Sequence, residues 1–165
     1  MSDEFLHRYA EACFAPGDVT FGYFVDGVLR GAGELRRLGP SGRASPLAAW
    51  APVPNAEGEF AFSVEAAFRR RGIGHDLMSR LLRAAANRGM GKLTLTCLAQ
   101  NHAMQSLARG FGADLQFEAC NVTGRLVARR PTPFSVWGEA FETAAGIAGG
   151  FADLQRSAMA RRAAA

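Results

Sequence analysis

Lysine is almost missing from this chain: of its 19 basic residues only Lys92 is lysine, and the rest are arginine. The net charge is +4 and the isoelectric point about 9.5. Arginine in place of lysine can follow from genome composition alone, so the global charge identifies no anionic partner. The basic residues are not gathered on one face with aromatics between them, which makes nucleic-acid binding the weakest reading. Cysteine is scarce too. Cys13, Cys97 and Cys120 are odd in number and form no CxxC pair. They hold no metal-ligand spacing with His7, His75 or His102, so the expectation is reduced core thiols, with no metal and no disulfide. No apolar run approaches the ~18 residues of a membrane span. The N-terminus, Met1-Ser2-Asp3-Glu4, has no apolar signal core, and the expected compartment is the cytoplasm. No internal repeat is present. What remains is 165 residues, 48% hydrophobic and 21% charged, enough for one globular domain with a proper core.

The pattern predicts a mixed α/β chain. Residues 2–14 read as a helix with Phe5, Leu6, Tyr9, Ala12 and Cys13 on one stripe. Asp26-Gly27 between Val19–Val25 and Val28–Leu38 signals a hairpin. Residues 39–46 read as a loop, and Leu47 to Val53 as a strand that Pro52 and Pro54 confine to an edge. Glu59 to Val64 reads as a strand, followed by a helix from about Gly72 to Arg88. Its apolar face is Ile73, Leu77, Leu81 and Ala85, flanked by Met78 and Leu82. Gly89 and Gly91 are expected to end it. Then come a strand from Lys92 to Leu98, a helix from Asn101 to Phe111, and a strand pair, Asp114 to Ala119 and Val122 to Ala128, split at Asn121. Pro131 and Pro133 mark a boundary. Two units follow from it: residues 1–133 as the working domain and 134–165 as a helical extension.

The informative stretch is Val64-Glu65-Ala66-Ala67-Phe68-Arg69-Arg70-Arg71-Gly72-Ile73-Gly74. A strand ends, a basic loop with glycines follows, and a helix begins. The unbonded amides of a helix's first turn attract anions, and glycine lets them approach a phosphate closely. Arg69, Arg70 and Arg71 add charge suited to a pyrophosphate. A Walker loop would need a lysine after the last glycine, and a GxGxxG fingerprint would need glycine where Leu77 stands. Neither nucleotide motif is complete here, which leaves both readings weak.

The stretch resembles the coenzyme-A motif of the GNAT acetyltransferase superfamily, Gln/Arg-x-x-Gly-x-Gly/Ala, with Arg69, Gly72 and Gly74 at its defining positions. Asn101-x-x-Met104-x-x-Leu107, with Gly112 beyond, is similar to the family's next segment. The Met104 form and the strand Glu59-Phe60-Ala61-Phe62 look closest to the bacterial protein-lysine acetyltransferase branch. The resemblance implies a GNAT-like fold, a mostly antiparallel twisted sheet splayed at the coenzyme A site and flanked by helices. It implies acetyl-CoA as co-substrate, held at its pyrophosphate by main-chain amides from Arg70 to His75, including those of Ile73 and Gly74. Phe62, Ser63 and Val64 would offer backbone to the pantetheine arm, and Asn101 and Met104 would lie beside it. The implied activity is N-acetyl transfer to a protein lysine or a small amine. A non-catalytic acyl-CoA-binding regulatory domain is the alternative.

Transfer needs a base for an ammonium of pKa near ~10.4, and a donor for the developing oxyanion. Glu59 is the expected base, with Glu57 its near decoy, and the Val64 amide is the analogous oxyanion donor. Cys97, on a strand without a fixed histidine partner, makes an acylated enzyme the weaker expectation. His75 reads equally as a phosphate contact and as an exposed first-turn residue. Asn101 reads as both a helix cap and a coenzyme contact. Glu34 lies in the strand that often lines the family's acceptor cleft. The chain departs from the family twice: Ala108 stands where many members carry a tyrosine general acid, and the family's first strand is truncated. Trp137, Phe141, Ile147, Phe151, Leu154 and Met159 give the tail apolar surface, expected against its own domain or a second subunit in a homodimer.

Overall fold

The structure, a computed structural model, describes residues 18–38, 56–128, 131–141 and 144. The expected helix at 2–14, loop at 39–46, edge strand at 47–53 and most of the tail lie outside the described residues.

Six strands form one sheet in the order β1-β2-β3-β4-β6-β5. β1 (Val19–Val25) and β2 (Val28–Leu38) make the expected hairpin. Its turn places Asp26 at φ 51° and Gly27 at φ 74°. That double left-handed step matches the twist of the flanking strands. β3 (Ala56–Val64) starts three residues before the expected Glu59 and runs antiparallel to β2. A 3₁₀ turn at Ala66–Phe68, not foreseen from sequence, carries the chain to α1 (Ile73–Asn87).

α1 buries Ile73, Leu77, Met78, Leu81 and Ala85, with Leu82 packed at the margin, so the expected apolar face is the observed one. It lies across β1 to β4. Gly89, at φ 71°, ends the helix. Gly91 does not: it already belongs to β4 (Met90–Leu98), because one left-handed residue is enough to turn the chain. α2 (His102–Gly110) follows, then β5 (Asp114–Glu118) and β6 (Asn121–Val127). The reversal between these two falls at Ala119-Cys120, and Asn121 is the first residue of β6, paired with Glu118. The core cluster joins Leu35, Phe60, Met78, Leu81, Leu93, Leu95, Ala108 and Leu126.

Residues 133–141 form a further helix, α3. Its attachment is polar. Arg88, 6% exposed, donates from Nη1 to Glu139 Oε1 at 2.6 Å and to Ala84 O at 2.9 Å. Asn87 Nδ2 donates to Glu139 Oε2 at 2.6 Å, and Ser135 Oγ donates to Asn87 Oδ1 at 2.7 Å. Phe134, Trp137 and Phe141 face outward, exposed. Of the two expected partners for the tail's apolar surface, its own domain is not the one that Trp137 and Phe141 meet. A buried guanidinium is unfavourable without a carboxylate, and Glu139 supplies it.

One pairing in the sheet opens the site. β3 and β4 are parallel, and their ladder ends at Phe60–Leu95. β3 stays on β2 up to Val64, and β4 stays on β6 up to Leu98. Ala61–Val64 and Thr96–Leu98 consequently diverge, leaving a gap in the middle of the sheet.

Candidate functional site

Strand alternation decides which groups face the gap. Glu65 N–H donates to Arg30 O at 2.9 Å, toward β2. Main-chain groups alternate sides along a strand, so those of Val64 and Phe62 point the other way, into the gap. The carbonyl of Val64 has a partner there: Arg69 Nε donates to it at 3.1 Å. Arg69 thus ties the loop back to the strand end.

The loop itself converges on open space. Arg70 sits at φ 62° and Gly72 at φ 83°, two left-handed residues separated by one. Alternation of this kind curls successive amides inward into an anion-binding nest. Gly72 is the residue before α1, and the first in-helix bond is Asp76 N–H to Gly72 O at 3.0 Å. The amides of Ile73, Gly74 and His75 therefore have no in-helix acceptor. A Cβ built on Gly72 would meet nothing within 4 Å, and one on Gly74 would meet only Leu107 Cδ2 at 3.4 Å. The space ahead of the loop is free for a ligand.

Two cavities make up the cleft. The larger, about 850 Å³, is walled by Phe62, Ser63, Val64, Arg69, Arg70, Gly72, Ile73, Gly74, His75, Asn101 and Met104, among others. Every residue expected to touch the coenzyme is in that wall except Arg71. The Arg71 guanidinium lies over the Phe68 ring at 4.9 Å, and that of Arg30 lies over the same ring at 4.5 Å. Planar guanidinium favours such a seat, and sequence spacing does not reveal the ring that offers it. His75 is stacked on Phe111, with ring centroids 4.7 Å apart, which joins α1 to α2. Asn101 caps α2: its Oδ1 accepts from Met104 N–H at 3.1 Å. Gln105, buried and unforeseen, donates to Ala99 O at 2.7 Å and fixes the loop that delivers Asn101.

The smaller cavity, about 480 Å³, is walled by Glu34, Arg36, Glu59, Phe60, Ala61, Phe62, Leu95, Cys97, Asn101, Met104 and Asn121, among others. Phe62, Asn101 and Met104 belong to both walls, so the two cavities are one continuous cleft. Glu59 faces it. Glu57 does not: it pairs with Lys92 Nζ at 3.1 Å on the exposed surface. The structure thus brings Glu59, Glu34 and Cys97 together, although they are distant in sequence. Burial pushes the Cys97 thiol above its ordinary value. Ala108, at the family's tyrosine position, is fully buried in the core rather than in the cleft. Arg36 was missed, because only the β2–β3 register, Arg36 opposite Glu59, reveals that it shares this wall. Among the described residues no group of His, Cys, Asp and Glu is arranged to hold a metal ion.

Comparison with known proteins gives a consistent picture of this architecture. The family model described as Acetyltransferase (GNAT) family matches residues 2–113. Among solved structures, the GNAT domain of Streptomyces lividans PAT is 23% identical, with a TM-score of 0.59 over 77% of this chain and 69% of that one. The yncA protein of Salmonella typhimurium, solved with its cofactor acetyl-CoA, is 18% identical, with a TM-score of 0.57 over 78% and 75%. The ribosomal-protein-alanine N-acetyltransferase of Brucella melitensis is 18% identical, with a TM-score of 0.56 over 77% and 79%. These likenesses are likenesses of fold. A comparison with curated protein sequences found no match.

Proposed function

The chain belongs to the Acetyltransferase (GNAT) family, and from that membership we propose that it transfers an acetyl group from acetyl-CoA to a primary amine by direct attack in a ternary complex. The observation that carries the reading is the continuity of the cleft. Free amides and arginines lie at one end, a carboxylate wall at the other, and parted strands between them.

The residues present fit the coenzyme. The nest from Arg70 to His75 holds its diphosphate through main-chain N–H groups, with Arg69 and Arg70 adding charge. Phe62 presents its edge amide and carbonyl to the pantetheine arm, the Val64 carbonyl being held by Arg69, and Asn101 and Met104 flank the arm. When bound, acetyl-CoA supplies the thioester carbonyl as electrophile and a thiolate as leaving group. The Val64 amide, facing the gap, is the donor for the oxyanion. Glu59 takes the proton of the incoming amine. A thiol held up by burial stays protonated near neutral pH, so Cys97 is a poor nucleophile and direct transfer is favoured over an acyl-enzyme.

A specific observation favours the alternative of a non-catalytic acyl-CoA-binding domain: Ala108 leaves the tyrosine acid absent. Thiol release from acetyl-CoA with a panel of amines separates the two. Amine-dependent release, reduced roughly 10²-fold or more in kcat by Glu59→Gln, supports the transferase. Tight acetyl-CoA binding with no release for any amine supports the regulatory domain.

A further inference from the structure

We propose that Glu34 is the acceptor-binding carboxylate of this cleft, and that the acceptor it holds is a primary alkylammonium ion; this rests on the transferase reading above. The chain's buried polar groups single it out. Among the described residues three polar or charged side chains are buried: Glu34, Arg88 and Gln105. Arg88 donates to Glu139 and to Ala84 O, and Gln105 donates to Ala99 O. Glu34, 7% exposed, accepts no hydrogen bond from them. Its contact is Arg36 Nη2, 3.6 Å from Oε1, beyond hydrogen-bond length. Oε1 is thus buried with an ion-pair partner but no hydrogen bond, and such an oxygen in a cavity wall is accounted for by a ligand that brings the donor.

Register gives the shape of that ligand. Glu34 lies opposite Ala61, and Arg36 lies opposite Glu59. Strand alternation puts all four on the sheet face away from α1, whose side chains meet the positions of Gly31 and Gly33. Glu34 and Glu59 are therefore diagonal neighbours, within about 7–8 Å at Cβ. The small Ala61 leaves the space between them open. Two carboxylates and one guanidinium among the described lining residues sum to −1, the complement of a monocation. Phe62 and Met104 line the same cavity where the strands part, an apolar margin that suits an alkyl stem. An ammonium has three N–H donors, so one ion bonds Glu34 while presenting a proton to Glu59.

The test is titration of the purified protein with n-butylammonium chloride and, separately, with n-butanol, its neutral analogue, followed by calorimetry. Acetyl-CoA is titrated in parallel. The wild type is expected to prefer the cation by about tenfold or more. Glu34→Gln is expected to bring the two affinities within about twofold while binding acetyl-CoA as the wild type does. Ala61→Leu, which fills the space without altering charge, is expected to remove n-butylammonium binding as well, and stands in if Glu34→Gln does not fold. Equal wild-type affinity for cation and alcohol, or an undiminished preference in Glu34→Gln, overturns the proposal. If n-butylammonium binding depends on Glu34 but acetyl-CoA does not bind, the amine site stands and the transferase reading falls.

Discussion

Gly72 and Gly74 are two residues apart, and the structure gives them different work. Gly72 holds φ 83°, and open space faces its missing Cβ. Alanine there is strained by roughly 1–2 kcal/mol, and its methyl would stand where a phosphate approaches the amides. Gly74 is helical, and a methyl at that position meets only Leu107, at ordinary contact distance. Gly72→Ala is expected to lower coenzyme A affinity by about tenfold or more and Tm by several degrees, about 2–4 °C per kcal/mol in a chain of this size. Gly74→Ala is expected to keep affinity within about threefold and to raise Tm slightly, because alanine exceeds glycine in helix propensity by up to about 1 kcal/mol. Calorimetry and thermal melts check both. Cys97 gives a pH prediction. A thiol pushed above its ordinary value yields thiolate only at higher pH, so iodoacetamide should alkylate exposed Cys120 faster than Cys97 near pH 8, with the gap narrowing as pH rises. Cys97→Ala is expected to leave turnover within about twofold if no acyl-enzyme forms; a loss of 10²-fold or more in kcat, with acetyl-CoA affinity retained, contradicts the direct-transfer reading.

At the scale of elements, legibility followed the range of the forces. The β1–β2 hairpin and α1 were readable because their determinants are local: Asp26-Gly27 for the turn, and Ile73, Leu77, Leu81 and Ala85 for the helix face. The basic loop was readable because its residues are contiguous. The gap between β3 and β4 was reachable only through resemblance, since parallel pairing joins residues more than thirty positions apart and its end point leaves no local mark. The same holds for Arg36 beside Glu59, which depends on register. The attachment of α3 was not legible for another reason. Trp137 and Phe141 promise apolar surface but do not say which face of the helix meets the domain. The polar face does, because Arg88 is buried and draws Glu139 to it. Glu139→Ala is therefore expected to destabilise the protein by about 3 kcal/mol, the range for removing one partner of a buried pair. Chemical denaturation measures it, and a loss below about 0.5 kcal/mol would mean that the pair behaves as a surface contact.

Over the whole molecule, two halves of one sheet stay joined at β3–β4 near the bottom and part above Phe60–Leu95, and the cleft is the consequence. The diphosphate grip and the carboxylate wall occupy opposite ends of that cleft, so they can be disturbed independently: Glu59→Gln should spare coenzyme affinity, and Gly72→Ala should spare amine recognition. Arginines around the loop make coenzyme affinity fall with added salt, whereas the main-chain amides keep part of it. The most direct measurement of the central claim compares coenzyme A with pantetheine, which lacks the diphosphate and the nucleotide, by calorimetry on the wild-type protein. Coenzyme A is expected to bind at about micromolar concentration and pantetheine at least about 100-fold more weakly, in keeping with several charge-assisted bonds lost at once. Equal affinity for the two, or no binding of coenzyme A, would contradict the claim.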